Sequence, residues 1–322
     1  MTAPTPLQVR VRATTYEAEG ILGFELTPLA PATELPAFTA GAHIDLHLDK
    51  GLVRSYSLLN DPQERHRYCI AVNKDAKSRG GSRYLHEALR TGSLLTIGAP
   101  RNNFPLDETA PHHVFIAGGI GITPMLGMVA RARTLGTPWT LYYSARTRQN
   151  AAFVDTLQAQ AAETGGTLVL NFDQEPGGKM LDLNAIVQAL PAGAHVYCCG
   201  PIPMLEAYER ATAGLPPERV HMEYFAAKDA AATDGGYTVE LRRSGKTLSI
   251  EAGQTILDAL IAVGTEPPYS CREGICGTCE VRVLEGTPDH RDLVLSQAEK
   301  LANDRMMVCC SGAKSRTLVL DL

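Results

Sequence analysis

The sequence predicts a multidomain chain: an antiparallel β-barrel, then an α/β domain with a parallel sheet, then a small α+β unit of the β-grasp type. Three observations predict it. The first hundred residues of the 322 are strand-like stretches parted by turn residues. From about residue 110, short apolar strands alternate with helical spacing. After a small polar stretch, Ala226–Gly236, the last 86 residues return to strands around one short helix and hold five of the eight cysteines. The boundaries expected are 1–108, 109–227, a linker over 228–236, and 237–322.

In the first part Leu7–Ala13 alternates in polarity, and Ile44–Leu48, Arg54–Leu58 and Tyr68–Val72 read as further strands. In the second, strands are expected at Val114–Ala117, Trp139–Ser144, Thr167–Asn171 and His195–Cys199. Helices are expected at Pro124–Leu135, Ala152–Glu163 and Pro203–Ala213. In the third, Tyr237–Arg243 and Thr247–Glu251 form a hairpin around Ser244-Gly245-Lys246. Thr255–Val263 is a helix with Thr255 and Asp258 spaced for a capping box. Glu280–Leu284 and Thr317–Leu320 complete the unit.

Composition excludes several classes. The net charge of −5 and the lack of a basic stripe argue against nucleic acid and anionic membranes. Met1–Arg10 lacks a signal-peptide pattern. The longest uncharged run, Val114–Ala130, is broken by glycines and Pro124 and is too short for a membrane span. A cytoplasmic location is therefore expected, where clustered thiols bind metal or carry redox chemistry.

Three groups of residues carry chemistry. Cys271, Cys276 and Cys279, followed by Cys309, have the C-x₄-C-x₂-C…C spacing of a plant-type [2Fe–2S] site. Gly274 and Gly277 let the backbone curl with its amides toward sulfur. Zinc is the alternative, although zinc knuckles favour paired C-x₂-C units and only one is present. Cys310 is expected to be a packed thiol. The second group is Arg54, Ser55, Tyr56 and Ser57 on a barrel strand, with Gly80, Gly81 and Ser82 opening the helical stretch Arg83–Leu89. Arg54 supplies charge for a phosphate and Tyr56 a surface for a flavin ring. Ser82 is the expected N-cap. An ordinary strand and an ordinary capped helix are the alternative.

The third group, Gly118, Gly119 and Gly121, runs from a strand into a helix. Thr123 is its expected cap and Pro124 its first helical residue, as for a pyrophosphate at a helix N-terminus. The last glycine of the dinucleotide fingerprint is missing, and a tight strand–helix turn is the alternative. Cys199, Gly200 and Pro201 end a later strand, where open α/β sheets place ligands. Cys199 is placed to face a nicotinamide, with burial as a small core residue the other option. Phe225 stacks on a flavin or packs in a core.

With these motifs in this order, the chain resembles the phthalate dioxygenase reductase family over essentially its whole length. The resemblance implies FMN held by the Arg54–Ser57 and Gly80–Ser82 segments, with Ala71 and Val72 along the flavin edge. It implies NADH facing Gly118–Pro124 and Cys199–Pro201, Ser144 and Arg146 near the adenosine ribose, and Phe225 beside the flavin. Thr123, Cys199 and Phe225 thus border the expected site of hydride transfer. Electrons would pass from NADH through FMN and the [2Fe–2S] cluster to a Rieske-type oxygenase of a demethylase or hydroxylase system. The alternatives are a diiron monooxygenase or cytochrome as partner, or a sensor without turnover. Asp289-His-Arg-Asp292 and Cys309-Cys310-Ser311 look closest to reductases of vanillate-type demethylases and carnitine-type monooxygenases. Gly312 departs from the arginine expected there. The third part carries 12 acidic and 10 basic residues, so a local patch at Arg272 and Glu273 is expected to dock the partner rather than gross charge.

Overall fold

The computed structural model describes residues 6–30, 33–76 and 78–322. The polar start of the chain, residues 1–5, lies outside them. The chain divides into two compact units, Thr2–Tyr224 and Phe225–Leu322.

The first unit opens with β1 (Leu7–Ala18), β2 (Ile21–Pro28), β3 (His43–His47), β4 (Val53–Ser57), β5 (Tyr68–Asn73), helix α1 (Gly81–Glu87) and β6 (Leu94–Ile97). The strands form an antiparallel sheet in the order β4-β3-β6-β1-β2-β5. Its two edges meet where the Leu59 amide, just past β4, donates to the Cys69 carbonyl of β5 at 3.0 Å. The sheet thus curls into a barrel around Val9, Val11, Leu26, Ile44, Leu46, Ile70 and Ile97.

The same unit continues with β7 (His113–Gly118), α2 (Ile122–Leu135), β8 (Trp139–Ala145), α3 (Val154–Thr164), β9 (Thr167–Phe172), α4 (Leu183–Gln188), β10 (His195–Cys199), α5 (Ile202–Thr212) and β11 (Val220–Glu223). All five strands are parallel, in the order β11-β10-β7-β8-β9. Every residue of the central strand β7 is buried, as a sheet covered on both faces requires. The order reverses between β7 and β10, and such a reversal leaves a crevice at the carboxyl ends of the strands.

The second unit comprises β12 (Tyr237–Leu241), β13 (Thr247–Ile250), α6 (Ile256–Ala262), β14 (Glu280–Glu285), β15 (Pro288–Asp289), α7 (Gln297–Ala302), β16 (Arg305–Met307), β17 (Gly312–Ala313) and β18 (Thr317–Leu320). The main sheet runs β13-β12-β18-β14-β16, with β12 and β18 parallel. This is the β-grasp arrangement, with α6 packing Ile256, Leu257 and Leu260 into the core. The expected capping box is present: Thr255 Oγ1 accepts from the Asp258 amide at 3.1 Å, and Asp258 Oδ2 accepts from the Thr255 amide at 3.1 Å. A second box, Ser296 with Glu299, starts α7.

The stretch expected as a linker, 228–236, is partly packed into the second unit. The Ala232 amide donates to the Cys310 carbonyl at 2.8 Å, and Ala232 is buried. This packing also accounts for Gly312, where an added Cβ would come within 2.8 Å of the Ala232 Cβ. A long side chain has no room there. Among the described residues no helix is long and apolar enough to cross a membrane.

The capping box yields a prediction. Thr255→Ala leaves the Asp258 amide without its side-chain acceptor and is expected to cost the second unit about 1 kcal/mol in urea unfolding.

Candidate functional site

The crevice at the reversal is built from small residues. Gly118 ends β7, and a Cβ there would lie 2.7 Å from Pro201 Cδ and 2.8 Å from Met204 Sδ. A Cβ on Gly121 would lie 2.2 Å from the Cys199 carbonyl oxygen. Gly200 is as crowded, 2.8 Å from Met204 Sδ. Gly119 has φ of 54°, a backbone that glycine adopts without strain. The segments 118–121 and 199–201, far apart in sequence, therefore touch.

Thr123 differs from its expected role. Helix α2 already begins at Ile122, with Gly121 as N-cap, so Thr123 lies within the first turn and its hydroxyl donates to the Ile120 carbonyl at 3.0 Å. Pro124 is correspondingly two residues further in than expected. Cys199 is fully buried, and burial, helped by Glu223 and Cys198, holds its thiol well above the ordinary range. It is a neutral group shaping the strand end, not a thiolate nucleophile. Ser144, buried at the end of β8, accepts from Asn171 Nδ2 at 3.1 Å, and Arg146 follows on the exposed surface.

On the barrel, Arg54 and the glycine turn come together. A Cβ on Gly81 would meet Arg54 Cγ at 2.6 Å, and Arg54 Nη2 donates to the Arg79 carbonyl at 3.5 Å. Gly80, at φ 105°, is the N-cap of α1; Ser82 is inside the helix, where its hydroxyl accepts from the Asp75 amide at 3.3 Å. The expected serine cap is thus replaced by a glycine whose backbone no other residue would adopt easily. Ser55 donates to Asp45 Oδ1 at 2.7 Å, and Asp45 pairs with Arg101 at 2.8 Å. Tyr56 packs against the barrel core, where burial raises its hydroxyl pKa. Ala71 packs beside Ala152 and Ile120 of the α/β part. Val72 points into the barrel core, with its carbonyl in contact with His86 Nε2 at 2.8 Å.

Sequence reasoning missed Glu223, at the end of β11. It is paired in register with Cys199. The Ser57 hydroxyl lies near enough to favour its ionised form, yet neither Ser57 Oγ nor Glu223 Oε2 has a well-formed hydrogen bond. Part of the residue is open to solvent, but this oxygen is not. Burial raises the carboxyl from 4.5 to about 8, against the opposing effect of Ser57.

In the second unit the four expected cysteines are all buried. Cys271 lies near enough to Cys276 and Cys309, and Cys279 to Cys309, for their thiols to influence one another's ionisation. The Cys276 thiol is raised in pKa by Cys271 and then by burial, and Cys279 likewise by Cys309 and burial. The Glu273 amide donates to Cys271 Sγ at 3.3 Å, and Thr278 Oγ1 lies 3.3 Å from Cys276 Sγ. Gly274 and Gly277 have φ of 71° and 75°. Arg272 shares that left-handed region at φ 59°, held by Asp258 at 2.7 Å and by stacking over Tyr269, 5.4 Å from the ring centre. Four crowded sulfurs with amides and a hydroxyl turned toward them fit the ligand set of a [2Fe–2S] cluster. Among the described residues no three His, Cys, Asp or Glu side chains gather as a single metal ion requires. Cys310 is the packed thiol expected: a Cβ on Gly274 would sit 2.5 Å from its sulfur. Phe225, at the start of this unit, is 38% exposed.

Glu223 gives a pH prediction. In the unfolded chain it ionises near 4.5, in the fold near 8, so between those values the unfolded state binds fewer protons and stability falls as pH rises. Glu223→Gln is expected to flatten this slope in thermal unfolding between pH 5 and 9; an unchanged slope refutes the assignment.

The comparisons with known proteins agree with this geometry. The 2Fe-2S iron-sulfur cluster binding domain family matches residues 239–314, and the oxidoreductase NAD-binding domain family matches 115–210. The chain is 57% identical over 318 residues to phenoxybenzoate dioxygenase subunit beta of Ectopseudomonas oleovorans, covering 98% of each chain. It is similar to an intact type IV self-sufficient cytochrome P450 monooxygenase, with a TM-score of 0.88 and 38% identity over 98% of this chain, but spans only 41% of that longer protein. Phthalate dioxygenase reductase, described as modular for electron transfer from pyridine nucleotides to [2Fe–2S], superimposes with a TM-score of 0.74 at 38% identity and full coverage of both chains. With its barrel, NAD-binding domain and ferredoxin unit in that order, the chain belongs to the phthalate dioxygenase reductase family.

Proposed function

We propose that this chain oxidises NADH at FMN held by the barrel and passes the electrons singly, through its own [2Fe–2S] cluster, to a Rieske-type oxygenase in the cytoplasm. The observation that carries this is the coexistence, on one chain, of the glycine-lined crevice at Gly118–Gly121 and Cys199–Pro201 with the buried quartet Cys271, Cys276, Cys279 and Cys309.

Bound flavin supplies the conversion between a hydride's electron pair and single-electron transfer. The chain's own residues bind and orient. Arg54 brings a positive charge to the Gly80–Ser82 turn for the FMN phosphate; at seven residues, α1 is too short for its dipole to be the main attraction. Tyr56 and Ser57 line the strand beside it, with Ala71 at the flavin edge. Gly118, Gly119 and Gly121 let a pyrophosphate approach the backbone, and Ser144 with Arg146 meet the adenosine ribose. Thr123 fixes the first turn of α2, and Cys199 shapes the nicotinamide side of the crevice. Cys271, Cys276, Cys279 and Cys309 hold the irons.

A haem monooxygenase is a second possible partner, favoured by the similarity to the self-sufficient P450. Reduction rates with a purified Rieske oxygenase and with a purified P450 separate the two.

Cys279→Ser tests the scheme. Iron and electron transfer to the oxygenase are expected to be lost, while NADH-to-ferricyanide activity persists within about twofold. Loss of ferricyanide reduction in a folded variant would defeat the separation of roles. Gly81→Val, which forces Arg54 aside, is expected to weaken FMN retention at least tenfold in equilibrium dialysis while iron content is unchanged.

A further inference from the structure

The Asp289-His290-Arg291-Asp292 stretch has no task in the scheme above, yet it lies between the two segments that supply sulfur. Toward the cluster loop, the Leu293 amide donates to the Gly274 carbonyl at 2.9 Å. A Cβ on Gly274 would come within 3.1 Å of Asp292 Cα and 3.4 Å of its Cβ, so Asp292 packs directly on the loop. Toward the fourth ligand, Asp289 pairs with Gly312 and the Arg291 amide donates to Ser311 Oγ at 3.2 Å.

Asp292 is 1% exposed. Its Oδ1 accepts from the Leu295 amide at 2.9 Å, whereas Oδ2 is buried with no hydrogen-bond partner. His290 Nδ1 and Lys300 Nζ stand 3.8 and 3.9 Å from that oxygen. The lysine's short bond, at 2.6 Å, goes instead to the Asp292 backbone carbonyl. Both ring nitrogens of His290 are buried without partners. A carboxylate in this position is costly to bury, and its loose pairing leaves its charge only partly offset. With little water to screen it, the field reaches the adjoining loop.

We propose that Asp292 is a positioning residue whose buried negative charge, partly offset by Lys300, lowers the reduction potential of the cluster held by Cys271, Cys276, Cys279 and Cys309. Charge near an iron–sulfur centre is among the protein's levers on its potential. A more negative centre resists accepting an electron and donates it more readily to the partner. The proposal rests on the cluster assignment above.

The two charges have opposite signs, so their removal has opposite consequences. Asp292→Asn keeps an oxygen to accept from Leu295 and removes the negative charge; Lys300→Met keeps the aliphatic stem and removes the positive one. Redox titration of the full-length, flavin- and iron-loaded protein, followed by the cluster's EPR signal, is expected to show a higher midpoint for Asp292→Asn and a lower one for Lys300→Met, with iron content unchanged. A purely structural role for the stretch would move neither midpoint in this paired way. The proposal is overturned if either iron-loaded variant keeps the wild-type midpoint or shifts oppositely. If Asp292→Asn fails to fold, Lys300→Met decides alone by the same criterion. Absence of iron from the wild-type protein would instead defeat the cluster assignment, a separate outcome.

Discussion

Backbone meets backbone where Gly121 faces Cys199, and the room for a nucleotide depends on that contact. The sheet order reverses between β7 and β10, so the chain leaves these neighbouring strands in opposite directions and their ends diverge. Side chains at the divergence would fill the opening. Glycine at 118, 121 and 200 keeps it narrow but unobstructed, while Met204 and Pro201 close one wall. Cys199 fits the same demand: a small neutral side chain, buried beside a carboxyl that burial also keeps neutral up to about pH 8. The chemistry of the crevice thus comes from what it admits, and hardly from reactive groups of its own.

The second unit is organised around crowding of another kind. Its sulfurs lie close enough that ionising one hinders ionising the next, a repulsion that coordination to iron relieves. The loop bearing three of them is held from several sides. Asp258 serves both the α6 cap and Arg272, and Gly274 is flanked by Cys310 and Asp292. Of the two residues expected to greet a partner, Arg272 is already committed to Asp258 and Tyr269. Docking at this patch therefore has to use a side chain whose charge is partly spoken for.

Legibility in the sequence followed the range of the interactions. Strand β10 and strand β18 have the limits expected from the sequence, and the Thr255–Asp258 box is as its spacing implied, because alternation and capping are local. The cysteine spacing was equally readable, since three ligands share one loop. The caps expected at Ser82 and Thr123 are misplaced because glycines just upstream start both helices two residues earlier. Strands β2, β6 and β11 were passed over, their short or mixed apolar runs acquiring strand character only from pairing with distant partners. Glu223 gives no signal at all: its neighbours, Ser57 on one strand and Cys199 on another, are far from it in sequence. The same holds for Gly312, whose need to be small becomes evident only once Ala232 is seen against it.

The place of β18 bears on how the iron-binding unit comes into being. This strand lies at the middle of its sheet, between β12 and β14, although it follows both of them, and the cysteine loop, in the sequence. During synthesis the loop with Cys271, Cys276 and Cys279 leaves the ribosome well before the strand that joins the two halves of its scaffold. For that interval no completed sheet holds the thiols. A fixed cradle for the cofactor thus depends on β18 joining β12 to β14.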